Sequence, residues 1–96
     1  MKMYVEQFYN KNQFVIKSKE SVVFQSYQSV IATIEKGVLT LGKRWDYSNT
    51  TQKHLYLFLR DYYYNLWSII KDSPNKRKSI QKLIDNKEIN YDEELM

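Results

Sequence analysis

The sequence has no cysteine, one histidine and one proline, and these shortages exclude several classes of protein. Without cysteine, neither a disulfide framework nor a thiolate metal site can form, which is typical of proteins from a reducing compartment. A zinc site built on paired histidines is excluded as well, because His54 is the only histidine. We therefore expect a cytoplasmic protein that binds no metal and no cofactor.

Long apolar runs are also missing. The first ten residues, MKMYVEQFYN, have no apolar segment of the kind found in secretion signals. The most apolar stretch, 55–70, contains Arg60 and Asp61 and is too polar to span a bilayer, so no membrane partner is expected. The chain is instead rich in aromatic residues, which make up 16 % of its 96 residues, and this composition predicts a single globular domain over 1–96.

Positive and negative charges are unevenly distributed. The last nine residues, 88–96, contain four acids and no base, whereas 1–87 contain all fifteen Lys and Arg residues and seven acids. This pattern indicates a basic body that binds an acidic partner or nucleic acid, with an acidic tail that partly screens it. The alternative is a soluble protein whose lysines are simply solvated.

Residues 1–43 have the pattern of an antiparallel β meander. The polar NKNQ of 10–13 predicts a turn, and Gly37 predicts another, because glycine tolerates a positive φ. The polar QSYQS in the middle of 21–35 predicts a bend or bulge in that strand. The predicted strands are 14–19, 21–35 and 38–42, with 3–9 as a candidate edge strand.

Two helices are predicted after the strands, a long one over 48–71 and a shorter one over 74–86. Ser48 or Asn49 is the expected cap of the first helix, since either side chain can accept from a free N–H of the first turn. The centre of its apolar face is formed by Leu55, Leu59, Tyr62, Leu66 and Ile70. In the second helix Ser73 is the expected cap, Pro74 the first residue and Asn86 the end. The fold class is therefore α+β, with a sheet of three to four antiparallel strands.

The segment KRWDYSNTTQKH, 43–54, has the residue types of a catalytic triad in His54, Asp46 and Ser48. A triad also needs a strained, glycine-flanked turn and an oxyanion pocket, and this segment has no such turn. Helix capping explains most of its polar residues. We therefore predict no catalytic residue and no enzymatic activity.

The apolar arc of the long helix is wider than a small sheet needs to cover. One flank of the arc is rich in Tyr and Trp, which are common at binding hot spots. A second group of residues, which we call the strip, lies beside Lys53 on the side of the helix opposite the apolar arc. The flank is either covered by another element or binds a partner, and the strip is predicted to contact a partner. The candidate partner-binding residues are Tyr56, Tyr63 and Trp67 on the flank, and Leu57, Arg60 and Tyr64 on the strip.

Basic residues fill the first turn of the second helix, where they oppose the partial positive charge of the helix start. Because a helix start with basic side chains attracts phosphates, this arrangement favours an anion site. The alternative is a set of exposed side chains without a specific role. The candidate anion- or phosphate-binding residues are Lys76, Arg77, Lys78 and Lys82.

The stretch 22–59 contains the linked segments FQSYQSVIA, LG, WDYS, TT and KHLYLFL, and it resembles a family of small uncharacterised proteins carried by phages, plasmids and other mobile elements of low-GC Gram-positive bacteria. The resemblance implies an accessory protein that acts inside a bacterial host cell. Products of this kind are often inhibitors of host defence, anti-CRISPR proteins among them. Residues 71–96 lie outside the resemblance.

The residues of the matching segments are also predicted to have structural roles. Phe24, Tyr27, Ile31 and Leu41 are predicted to fill the core of the sheet. Trp45 and Tyr47 are predicted to plug the corner between the last strand and the long helix, with a base-stacking or partner-binding role as the alternative for Trp45.

The predicted function is non-enzymatic binding and inhibition of a host protein or ribonucleoprotein complex. The first alternative is a small basic nucleic-acid-binding domain, in which the lysines contact phosphates and Tyr or Trp stacks on bases. The second alternative is a structural homodimer, which would self-associate without a further partner.

Overall fold

The computed structural model describes residues 3–95 and contains one mixed sheet and three helices. The strands lie side by side in chain order; neighbours from β1 to β5 are antiparallel, and β6 is parallel to β5. The strands are β1 (Tyr4–Phe8), β2 (Asn10–Lys17), β3 (Ser21–Ser26), β4 (Ser29–Glu35), β5 (Val38–Gly42) and β6 (Asn90–Asp92), and the helices are α1 (Asn49–Tyr62), α2 (Tyr64–Ile70) and α3 (Lys76–Asp85). The α+β class is confirmed, but the described part of the sheet has six strands, more than the three or four predicted.

The predicted strand 21–35 is a hairpin of β3 and β4. Ser26 pairs with Ser29, and Tyr27 and Gln28 form the loop between them. Tyr27 has a φ of 55°, a conformation that two-residue hairpin loops usually fill with glycine or asparagine. Because the loop carries neither, its sequence lacks the usual signal of a hairpin.

A β-bulge in β4 explains the burial of two successive residues. Phe24 pairs with Ala32 and Gln25 with Val30, which leaves Ile31 as the extra residue on β4. Strict alternation would place Ile31 on the face opposite Ala32, but the bulge brings both side chains into the core.

The start of the meander also differs from the prediction. The edge strand predicted over 3–9 is present as β1, but the NKNQ segment belongs to β2 and forms no turn. The chain reverses at Tyr9, which has a φ of 62°, and the pairing of β1 with β2 is irregular beside it.

The predicted long helix is interrupted at Tyr63, which has a φ of −144° and a ψ of 60°. Its N–H donates to the Leu59 carbonyl at 2.8 Å and its own carbonyl accepts from Leu66, so it ends α1 and begins α2. No glycine or proline marks the break. Ser48 caps α1 as predicted, and its Oγ accepts from the Thr51 N–H at 3.1 Å.

The third helix begins two residues later than predicted. Asn75 caps it, because the side-chain Oδ1 accepts from the Lys78 N–H at 3.0 Å. Ser73, the predicted cap, instead accepts from the Asn75 N–H and bonds the Ser79 hydroxyl. Asn86 ends the helix as predicted. Part of the predicted acidic tail, 88–96, forms β6 at the edge of the sheet.

The core lies between one face of the sheet and the helices. Phe24, Ile31 and Leu41 are buried as predicted, and Trp45 is only 2 % exposed. Two core predictions are wrong: Tyr27 is 60 % exposed at the tip of the β3–β4 hairpin, and Tyr47 is 70 % exposed on the loop after β5. The buried apolar residues are Phe8, Val15, Phe24, Ile31, Ala32, Ile34, Leu39, Leu41, Trp45, Leu55, Phe58, Leu59, Leu66, Ile70 and Ile80.

Gln13 is buried and its side-chain Oε1 has no hydrogen-bond partner within residues 3–95. A buried acceptor without a partner costs about 1–3 kcal/mol. We expect Gln13→Met, which keeps the volume and removes the amide, to raise the free energy of unfolding by about 1 kcal/mol in urea denaturation. The control is Gln25→Met, expected to be neutral or destabilising, because the Gln25 amide donates to the Tyr27 carbonyl at 2.8 Å. A loss of stability in the Gln13 variant would contradict the prediction.

Candidate interaction surfaces

Some residues of the two sets that the sequence suggested separately lie on one surface. The Lys76 ammonium lies over the Trp67 ring, 6.0 Å from its centre, and Arg77 Nε pairs with Asp46 Oδ2 at 3.0 Å. Burial raises the pKa of Tyr56, while the nearby Arg77 lowers it and Asp46 raises it further. We call Asp46, Tyr56, Trp67, Lys76 and Arg77 the aromatic–basic surface.

The other predicted partner-binding residues lie elsewhere. Arg60 is exposed, pairs with Asp61 at 3.0 Å and donates to the Tyr9 hydroxyl at 2.8 Å. Tyr9 in turn donates to Asp61, and this hydrogen bond to a carboxylate raises the pKa of Tyr9. The Tyr63 hydroxyl donates to the Gly37 carbonyl at 3.4 Å, on the β4–β5 turn.

The residues of the predicted strip, Leu57, Arg60 and Tyr64, differ in exposure and belong to two helices. Leu57 is half-buried and packs against the core, whereas Tyr64 is 55 % exposed. The break at Tyr63 separates them, because Tyr64 belongs to α2 and no longer follows the helical spacing of α1.

The basic residues of α3 differ in their surroundings. Arg77 is paired with Asp46, and Lys76 is held against Trp67, so part of their unfavourable position at a helix start is compensated. Lys78 and Lys82 are exposed, and neither forms an ion pair within the described part of the chain. Lys82 lines a groove of about 230 Å³ between α2 and α3, next to the exposed Ile69.

A larger cleft, of about 730 Å³, lies between the β3–β4 hairpin and the start of α1. Sequence reasoning missed it, because it assigned Tyr27 and Tyr47 to the core. The signal that could have found it is the polar surroundings of both tyrosines, in QSYQS and DYSNTT. We call it the turn–loop cleft; it is lined by Ser26, Tyr27, Gln28, Ser29, Ile31, Arg44, Tyr47, Ser48, Thr50 and Thr51.

The turn–loop cleft favours negative charge. Among the described residues that line it, Arg44 is the one charged side chain, and the first turn of α1 contains no acidic side chain. The nearby Asp46 is paired with Arg77 on the aromatic–basic surface. The His54 ring is buried below the first turn and bonds the Thr50 carbonyl through Nδ1 at 2.8 Å, which explains the histidine as a packing residue.

Residues 3–95 bring no three His, Asp or Glu side chains close enough together to hold a metal ion. Over the same residues, no helix has both the length and the apolar character needed to cross a bilayer. The described molecule is thus an α+β domain with an aromatic–basic surface on its helices and a polar cleft at the start of α1.

The chain belongs to a family of unknown function, DUF8033, whose profile matches residues 2–72. The match includes β1 to β5, α1, α2 and the whole turn–loop cleft, and it ends before α3 and β6. Neither the curated proteins nor the solved structures contain a match to this chain.

Proposed function

We propose that this protein is a non-enzymatic accessory protein of a phage or other mobile element, which acts in the cytoplasm of a bacterial host by binding and inhibiting a protein or ribonucleoprotein complex. The aromatic–basic surface carries this proposal. Trp, Tyr and Arg are the residue types that contribute most binding energy at protein interfaces. Here Trp67 and Arg77 are held by Lys76 and Asp46 in the free protein, which lowers the entropy lost on binding.

The position of this surface in the chain suggests a partner particular to this protein. Tyr56 and Trp67 lie within the part that matches the family, whereas Lys76 and Arg77 lie beyond its end at residue 72. The common part of the fold therefore presents the aromatic side chains, and the additional helix supplies the cations.

Direct nucleic-acid binding is the second candidate, and the exposed Lys78 and Lys82 favour it. Cations without an ion-pair partner can contact phosphates and release counterions, which makes binding strongly salt-dependent. The same two lysines would also suit an inhibitor that contacts the guide or target strand of a ribonucleoprotein.

A pull-down from a Gram-positive host lysate, with and without nuclease and at low and high salt, distinguishes the two candidate functions. A discrete host protein retained after nuclease treatment is the result expected for an inhibitor of a host complex. Recovery of nucleic acid alone, lost at high salt, would contradict that function and favour the second candidate.

Reversing two charges tests the aromatic–basic surface itself. We expect Lys76→Glu combined with Arg77→Glu to abolish capture of the host protein and to change the free energy of unfolding by less than about 1 kcal/mol, since exposed ion pairs contribute little. The readouts are the pull-down and urea denaturation. The matched control is Lys11→Glu with Lys19→Glu, which makes the same change in net charge at one exposed lysine on β2 and one on the loop between β2 and β3.

Unchanged capture by the Lys76/Arg77 variant would remove the surface from the proposal. Equal loss in both variants would mean that overall charge, and not this surface, holds the partner.

A further inference from the structure

The turn–loop cleft has the size of a ligand site. Its volume of about 730 Å³ falls within the roughly 300–1,000 Å³ of typical small-molecule pockets. It is built from the tip of the β3–β4 hairpin, the loop after β5 and the first turn of α1, and it shares no residue with the aromatic–basic surface. A ligand here would therefore be additional to the partner proposed above.

A largely buried residue, Ser26, presents to this cleft a hydroxyl that has no hydrogen-bond partner among residues 3–95. Ser26 is only 4 % exposed and lines the cleft, and none of the hydrogen bonds within residues 3–95 involves its Oγ. Because this Oγ is not among the fully buried unpaired atoms, it is open to the cleft and can form a hydrogen bond with a ligand there. Ser26 also lies directly across from Gln13 on β2, whose Oε1 is the unpaired buried acceptor. Neighbouring positions of β2 and β3 thus carry two side-chain oxygens that form no hydrogen bond within residues 3–95.

The start of α1 offers donors to an anion. Ser48 satisfies the N–H of Thr51, but no acceptor within the described residues meets the N–H groups of Asn49 and Thr50. Free N–H groups and the partial positive charge of a helix start favour phosphate oxygens, and Arg44 adds a full positive charge to the same cleft.

Two exposed aromatic rings also line the cleft. Tyr47 is 70 % exposed, and the Arg44 guanidinium lies 5.2 Å from the centre of its ring. Tyr27 is 60 % exposed and has a positive φ, which is costly for a bulky side chain. Exposed tyrosines beside an arginine are a typical platform on which nucleobases stack.

We propose that the turn–loop cleft binds a nucleotide unit. Its phosphate lies at the start of α1, bound by the free N–H group of Thr50 and by Arg44, both of which line the cleft. Its base stacks on the exposed ring of Tyr47, and Ser26 donates to or accepts from the sugar or base. The same unit can come from a free mononucleotide or from a single-stranded nucleic acid, and the two sources share this chemistry.

The proposal is tested by titrating the full chain with inorganic phosphate, AMP, UMP and a single-stranded hexanucleotide, while amide chemical shifts are followed by NMR. We expect saturable shifts at Ser26–Ser29 and Asn49–Thr51, with AMP binding at least about tenfold more tightly than inorganic phosphate because the base stacks. A hexanucleotide that binds at least about tenfold more tightly than AMP identifies a strand as the source. Equal affinity for AMP and hexanucleotide identifies the free nucleotide.

Variants distinguish the cleft from general charge effects. Arg44→Ala with Tyr47→Ala is expected to weaken AMP binding about tenfold or more, since it removes the charge and the stacking ring. The matched control, Lys53→Ala with Tyr4→Ala, removes one exposed cation and one exposed tyrosine outside the cleft and is expected to bind AMP as the unchanged protein does.

Three results would overturn the proposal: no saturable shift at the cleft with any probe, equal affinity for inorganic phosphate and AMP, or equal weakening in the two double variants. None of these measurements uses a host protein. Failure of the nucleotide site therefore leaves the aromatic–basic surface untouched, and loss of the host partner leaves the cleft untouched.

Discussion

Replacing Trp45 with alanine is expected to lower the free energy of unfolding by about 3–5 kcal/mol, because it removes the largest side chain of the core and leaves a cavity. The indole is 2 % exposed although it lies on a polar loop. The loop holds it there by a turn in which the Trp45 N–H donates to the Gly42 carbonyl at 3.1 Å. Urea denaturation followed by far-UV circular dichroism measures the loss, and the variant is expected to be at the limit of stability for a domain of this size.

The matched control lies two residues further along the same loop. Tyr47→Ala removes an exposed ring, so we expect its free energy of unfolding to change by less than about 0.5 kcal/mol. A loss of less than about 1 kcal/mol in Trp45→Ala would mean that the indole is not part of the core. In that case the alternative interpretation, a platform for a partner or a base, would have to be taken up again.

The second large effect is expected at Gly42, the last residue of β5. A Cβ at this position would lie 2.8 Å from the Val30 carbonyl oxygen, and 3.4 Å from Leu95 Cβ. A backbone atom cannot move aside without shifting its strand, so Gly42→Ala must displace β4 or β5. We expect a loss of about 1–3 kcal/mol in urea denaturation, together with faster amide exchange in these two strands.

Gly37→Ala serves as the comparison, because no atom of residues 3–95 outside its chain neighbours lies within 4 Å of a Cβ at this position. Its cost comes from the positive φ of 80° alone, and we expect about 1 kcal/mol with no change in exchange at Val30. If Gly42→Ala costs no more than Gly37→Ala, β4 and β5 do not approach as closely as described.

The sequence predicted helix ends that depend on neighbouring residues, but it did not predict features that depend on contacts between distant parts of the chain. Ser48 begins α1 and Asn86 ends α3 as expected, because a cap depends on a few neighbouring atoms. The break at Tyr63 was missed, since the residues around it carry the helical periodicity without interruption. β6 was missed for a related reason: a three-residue strand within an acidic segment has no periodicity of its own and pairs because β5 offers a free edge.

The candidate surfaces also combine residues that the sequence pointed to with an arrangement that depends on tertiary packing. The aromatic flank and the basic turn were both visible in the sequence, but their junction at Trp67 and Lys76 depends on how α2 and α3 pack. The turn–loop cleft was not visible at all, because it is assembled from a hairpin tip and a loop that β4 and β5 separate in the sequence. Tyr27 and Tyr47 are predicted as core and corner residues because they belong to the segments FQSYQSVIA and WDYS, but Tyr27 lies at a hairpin tip and Tyr47 on the loop after β5, and both are exposed.

The parallel pairing of β6 with β5 has a consequence for the order in which the protein folds. The strands from β1 to β5 pair with their neighbours across short turns, whereas all three helices lie between β5 and β6. Because the entropy lost on closing a loop grows with its length, we infer that the meander pairs first and β6 docks last, with Leu95 then covering Gly42. By the same reasoning β6 detaches first under mild destabilisation, and β5 then becomes an open edge that can pair with another chain. The segment beyond residue 72 therefore has a role besides binding, because its strand β6 covers the edge of β5 at which the sheet could pair with another chain.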